Sequence, residues 1–211
     1  MKKNHILKYK VLITLSFVLS ITSCTSISDI AEKTTLSIDK NVSIGKTKVL
    51  VLPIMSQTNS TFNSTLLDAH FITLWENNIG KENIIPIPYL VLKENKNATE
   101  ALEILSNSMK TKKPSKIKGT VAEVFLNDIS TKYGHYPISL TSISADKDFY
   151  DSNGNFTTYI GLFDIKTFTW KWVTERSYKN NLFIVKFEDA VQQSIKTSFN
   201  DFKKENYDSL F

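Results

Sequence analysis

The run Val49-Leu50-Val51-Leu52 constrains the fold of this chain more than any other stretch. A strand with one face in water alternates apolar and polar residues. An unbroken apolar run instead marks a strand covered on both faces. Lys46–Ile54 is therefore expected to be an interior strand, ended by Pro53, which has no N–H to give the ladder. Such a sheet needs helices to cover it. Leu67, Phe71, Leu74 and Trp75 are spaced for one face of a helix over Thr65–Asn78, with Gly80 as its stop. A second helix is expected from Asn97, which stands in capping-box spacing to Glu100. Ala101, Leu102, Leu105 and Met109 would form its apolar face. A last helix over Phe187–Lys204 carries a stripe of Phe187, Val191, Ile195, Phe199 and Phe202.

The remaining segments are expected to be extended or irregular. Asn83–Leu92 contains Pro86 and Pro88, which oppose helix. Lys110–Lys118 is basic and reads as a solvated connection. Lys116–Leu126 reads as a strand through Ile117, Val121 and Phe125, and Pro137–Ser144 as another, more loosely patterned. Asp151-Ser152-Asn153-Gly154 is a turn sequence. Phe156–Ile165 and Phe168–Tyr178 read as a hairpin, with Phe168, Trp170 and Trp172 sharing one face. Strands alternating with helices give an α/β fold class: a mixed β-sheet with helices packed against it, in a single domain.

The N-terminus carries a different message. Lys2, Lys3, Lys8 and Lys10 precede the apolar segment Val11–Ile21, the charged and apolar regions of an export signal. A helix spanning a bilayer needs about 20 residues, so this segment is too short for that role. It ends in Ile21-Thr22-Ser23-Cys24, which resembles the lipobox of bacterial lipoproteins. The resemblance implies recognition of Ile21, Thr22 and Ser23 by a signal peptidase, and attachment of diacylglycerol and palmitate chains to Cys24. The expected organisation is a signal peptide over 1–23, a lipidated flexible tether over 24–45 and an α/β envelope domain over 46–211. Thr25, rather than Asp, follows the cysteine. In a Gram-negative cell that resembles lipoproteins of the outer membrane facing the periplasm.

Cys24 is the only cysteine, so an intrachain disulfide and a Cys-x-x-Cys metal site are both excluded. The formal charge of +5 falls to +1 without the leader, which carries four lysines and no acid. Basicity thus gives no support to a nucleic-acid partner. Gly45-Lys46-Thr47 imitates the end of a P-loop, but position 40 is Lys and the triplet opens a strand. Asp151, Asn153 and Gly154 match only part of a calcium loop. His70 and His135 are the histidines left in the mature chain, and no G-x-S-x-G elbow accompanies them. No catalytic residue, metal site or cofactor is assigned. Tyr133, His135 and Tyr136 form an aromatic loop suited to contact with a partner.

Three segments of the mature chain resemble the LpoB, CsgG N-terminal and TolB N-terminal group of envelope proteins. Lys48–Ile54 is similar to that group's opening strand, Ile117–Val121 to its strand with a Gly-x-Val step, and Phe163–Thr167 with Trp170 to its Asp-x-x-Thr hairpin. Phe168 stands where that hairpin usually has Gly, and the stretch between Leu126 and Phe156 is long for the group. The resemblance implies a non-enzymatic adaptor, assembly factor or activator that binds another envelope protein or a second copy of itself. A small envelope hydrolase and a surface-exposed ligand-binding lipoprotein remain alternatives.

Overall fold

The computed structural model describes residues 31–38, 47–56, 64–145, 155–179 and 187–210. Seven strands form one mixed sheet: β1 (Ala31–Ile38), β2 (Val49–Val51), β3 (Met55–Ser56), β4 (Ile84–Pro86), β5 (Ile138–Ala145), β6 (Asn155–Asp164) and β7 (Thr169–Lys179). Their spatial order is β1-β7-β6-β5-β2-β4, with β3 against β5. β2 pairs in parallel with both β4 and β5, while β5, β6, β7 and β1 form an antiparallel series. The helices are α1 (Ser64–Ile79), α2 (Tyr89–Glu94), α3 (Ala98–Thr111), α4 (Val121–Tyr133) and α5 (Phe187–Leu210).

Topology follows from burying β2 on both faces. Leu50 and Leu52 join a core that includes Leu105 and Met109 of α3 and Phe125 and Ile129 of α4. The chain leaves β2 through α1, returns in β4, then passes through α2, α3 and α4 to reach β5 on the other side of β2. Crossovers in opposite directions that keep one hand must lie on opposite faces of the sheet. Accordingly Phe71 and Trp75 of α1 pack edge-on to Phe199 of α5, which in turn meets Trp172 of β7. Val191, Ile195 and Phe199 of the expected α5 stripe are buried. The side chains of Phe187 and Phe202 lie outside the described residues.

Four expectations are corrected. Lys116–Leu126 is not a strand: Pro114–Lys116 is a 3-10 turn, and α4 begins at Val121. The cap explains the difference. Thr120 Oγ1 accepts from Ala122 N at 3.2 Å, and the Glu123 carboxylate accepts from Gly119 N at 2.7 Å. A Ser/Thr-x-x-Glu pair of this kind starts a helix, and Ala122, Phe125, Leu126 and Ile129 then fall on its buried face. The second segment of the envelope-family resemblance is thus a helical start.

Asn83–Leu92 is extended only over Ile84–Pro86. Pro88 caps α2, because proline opposes helix before itself and is tolerated at a helix start. Asn97 does precede α3, but its side chain makes no capping bond; Asn95 Oδ1 instead accepts from Asn97 N at 3.0 Å. β1 pairs with β7 from Ala31↔Tyr178 to Ile38↔Trp172.

The hairpin forms as expected, but its tryptophans do not share a face. Leu162 pairs with Trp172 and Phe163 with Trp170, so Lys171 is the extra residue of a bulge. Trp170 therefore joins the α3 side, where its indole N–H donates to Ser108 Oγ at 3.0 Å, while Trp172 joins the α5 side. Gly161 makes room for this junction: a Cβ there would lie 2.6 Å from Met109 Sδ and 2.6 Å from the Trp170 ring. Gly161→Ala is expected to destabilise the domain by about 1–3 kcal/mol. Urea unfolding measures it, and a change under about 0.5 kcal/mol, the usual surface range, would contradict this packing.

Candidate functional site

The sheet has two distinct ends. One carries the starts of β2, β4, β5 and β7 and the end of β6; the other carries the start of β1 and the end of β7. The first end also carries the loop before β5 and the β6–β7 turn. Pro137 O accepts from Leu50 N at 2.9 Å, which ties the loop before β5 to β2. Ile138 pairs with Phe163, next to the β6–β7 turn.

The turn is held by Asp164. Its Oδ1 accepts from Lys166 N at 2.9 Å, its Oδ2 from Thr167 Oγ1 at 2.9 Å, and Lys171 Nζ lies 3.9 Å from Oδ2. Phe168 then adopts φ 56°. That is the left-handed region, where a non-glycine residue costs about 1–2 kcal/mol. The half-buried Phe168 ring meets Phe163 edge-on at 5.2 Å, and Lys118 Nζ lies 5.4 Å from its centroid. No sequence signal distinguishes such a phenylalanine from one in an ordinary strand.

The aromatic loop expected as a contact patch is beside this turn. Tyr133 ends α4, Gly134 follows with φ 104°, and Tyr136 N donates back to Gly134 O at 2.9 Å. Tyr133 and Tyr136 pack partly against the α3–α4 core, and Lys132 Nζ lies 5.5 Å from the Tyr133 centroid. His135 is exposed at the tip. The three residues share a loop, with the tyrosines serving as its half-buried base. Ile21, Thr22, Ser23 and Cys24 lie outside the described residues, as do the Asp151–Gly154 turn and the acidic residues Asp146 and Asp148.

His70 lies on α1 and is half-buried. Its burial and the Lys196 charge both hold it below the ordinary histidine range, and its Nε2 is buried without a partner among the described residues. Neither histidine hydrogen-bonds a serine or a carboxylate among the described residues. No group of three or more His, Cys, Asp or Glu suited to a metal ion occurs among them either. No helix among them is long and apolar enough to cross a membrane.

Two further polar groups escaped the sequence reading. Tyr159 donates to Glu175 Oε1 at 3.1 Å, and its phenol is pushed up to about 12 by burial, the Glu175 charge and that bond. Asp68 of α1 accepts from Ile54 N at 2.6 Å, just past Pro53. Burial raises its pKa, and the bond from Ile54 opposes the rise.

No family model matches the chain, and no curated protein matches it. Solved structures similar to it include the PelC dodecamer from Paraburkholderia phytofirmans, with 10% identity, 80% of this chain and 94% of that chain covered, and a TM-score of 0.46. The LpoB C-terminal domain from Escherichia coli is similar at 15% identity, 72% and 90% coverage, and TM-score 0.37. Lipoprotein GNA1162 from Neisseria meningitidis is similar at 12% identity, 74% and 95% coverage, and TM-score 0.38.

Asp68 supplies a test of the domain's buried electrostatics. A raised folded pKa means the native chain holds the proton more tightly than the unfolded chain. The stability this gives is full below the ordinary carboxylate value of 3.8 and is lost as pH rises toward the folded pKa. At pH 7 Asp68→Asn keeps an acceptor for Ile54 N without the buried charge, and is expected to match or exceed wild-type stability. Asp68→Ala orphans that N–H and should cost about 1–3 kcal/mol. Thermal unfolding between pH 4 and pH 8, as approximate limits, checks both. A destabilised Asn variant at pH 7 would contradict the burial cost.

Proposed function

We propose that this chain is exported, cleaved before Cys24 and lipidated there, and that its α/β domain acts as a non-enzymatic envelope adaptor, assembly factor or activator by binding another protein. The observation that carries the reading is the placement of Cys24. It ends a short apolar leader behind two small residues, and it is the only thiol in the chain. A thiol is the group needed to take up a thioether-linked diacylglycerol. Each buried CH₂ contributes about 0.8 kcal/mol, so two or three acyl chains hold a domain firmly at a membrane.

In a Gram-negative envelope the reading places it on the outer membrane, facing the periplasm. Tyr133 and Tyr136, with amphipathic rings half-buried beside exposed lysines, fit protein contact better than chemistry on a small substrate.

The anchoring half of the proposal predicts that wild-type protein stays in the membrane fraction through high-salt and carbonate washes, while Cys24→Ala is released. A variant that resists both washes would overturn lipid anchoring. The adaptor half predicts one dominant envelope protein after cross-linking in intact cells and affinity capture. Recovery of no specific protein would overturn it.

A further inference from the structure

We propose that the end of the sheet formed by Ile165, Lys166, Phe168 and Lys118 is a docking surface for an acidic segment of the partner protein, one that carries an apolar anchor residue. The inference rests on the adaptor reading and names the surface and chemistry through which it would act.

The first argument is the backbone at Phe168. A glycine would hold φ 56° at no steric cost. A phenylalanine there spends stability to keep an aromatic ring at the turn, and strain of this kind concentrates at binding and switch sites. The ring is half-buried, with one edge set on Phe163 and Ile165 beside it against the same core. It forms a firm apolar shelf rather than a mobile side chain.

The second argument is charge. Lys118 is exposed and stands over the Phe168 ring, and Lys166 is exposed in the turn itself. The nearby carboxylates are tied to the local backbone, Asp164 by Lys166 N and Thr167 and Glu123 by Gly119 N, and stand against three lysines, Lys118, Lys166 and Lys171, the last 3.9 Å from Asp164 Oδ2. Among the described residues Lys118 and Lys166 have no carboxylate partner. The surface therefore offers two ammonium groups around an aromatic ring. A complementary ligand brings carboxylates for the lysines and an apolar side chain for the shelf.

The experiment uses the mature lipidated protein in zwitterionic micelles, with a fluorescein-labelled peptide alternating Glu and Asp with Phe and Leu, read by anisotropy. Saturable, salt-sensitive binding is expected, weakened about tenfold or more by Lys118→Gln with Lys166→Gln. Phe168→Leu keeps apolar volume but loses the ring, and should weaken binding about threefold to tenfold with the fold intact by circular dichroism. Lys96→Gln, on the exposed turn before α3, should leave binding unchanged. Absence of binding, or binding indifferent to the two lysine changes, would overturn the proposal. So would capture of phosphatidylglycerol vesicles, rather than the peptide, through the same lysines. If the double variant still captures the wild-type partner in cells, the adaptor reading stands and this surface alone fails.

Discussion

The bulge at Lys171 is the constraint on which both sides of the molecule depend. Without it, Trp170 and Trp172 would point the same way and one face of the sheet would lose its largest side chain. With it, Trp170 anchors α3 through Ser108 and Phe163, while Trp172 meets Phe199 of α5. Met109 and the Trp170 ring close over Gly161, so the bulge, the glycine and the indole bond form one unit. The two helical layers are thereby locked to a single sheet rather than packed on it independently.

The layers differ in character. On the α3–α4 side the core is nearly all aliphatic and aromatic, with one indole–hydroxyl bond at its centre and a Ser106–Ser142 pair at 2.9 Å. On the α5 side the sheet brings Thr158, Thr174 and Arg176 against Ser194 and Ser198, and the buried Arg176 guanidinium bonds Asp201 of α5. A buried ion pair of this kind offsets its own desolvation more than it adds net stability, but removing one partner costs several kcal/mol, on the order of 3–5. It specifies how α5 sits along β7. The α3–α4 side is also the one that supports Phe163, Phe168 and Tyr136.

How much of this could be read from the sequence follows from how local each signal is. Val49–Leu52, the α1 face and the β6–β7 hairpin carry strong periodicity over their own lengths, and all three form where expected. Residues 116–126 misled because Val121 and Phe125 fit a strand as well as a helix, whereas the Thr120–Glu123 cap that decides the matter is only two side chains. β1 is polar, with Glu32, Lys33 and two threonines, so nothing in its composition separates an edge strand from a tether. The bulge is set by tertiary packing, and a sequence pattern has no mark for it. The proposed lipid site at Ile21–Cys24 rests on residue order alone, and those residues lie outside the described structure.

The proposed attachment of lipid at Cys24 is the central claim. Intact-mass analysis of the protein purified from membranes tests it most directly. The account predicts a chain beginning at Cys24, heavier than its sequence by a diacylglycerol and, in a Gram-negative cell, one further acyl chain. A chain retaining Met1, or one cleaved elsewhere with an unmodified Cys24, would contradict it.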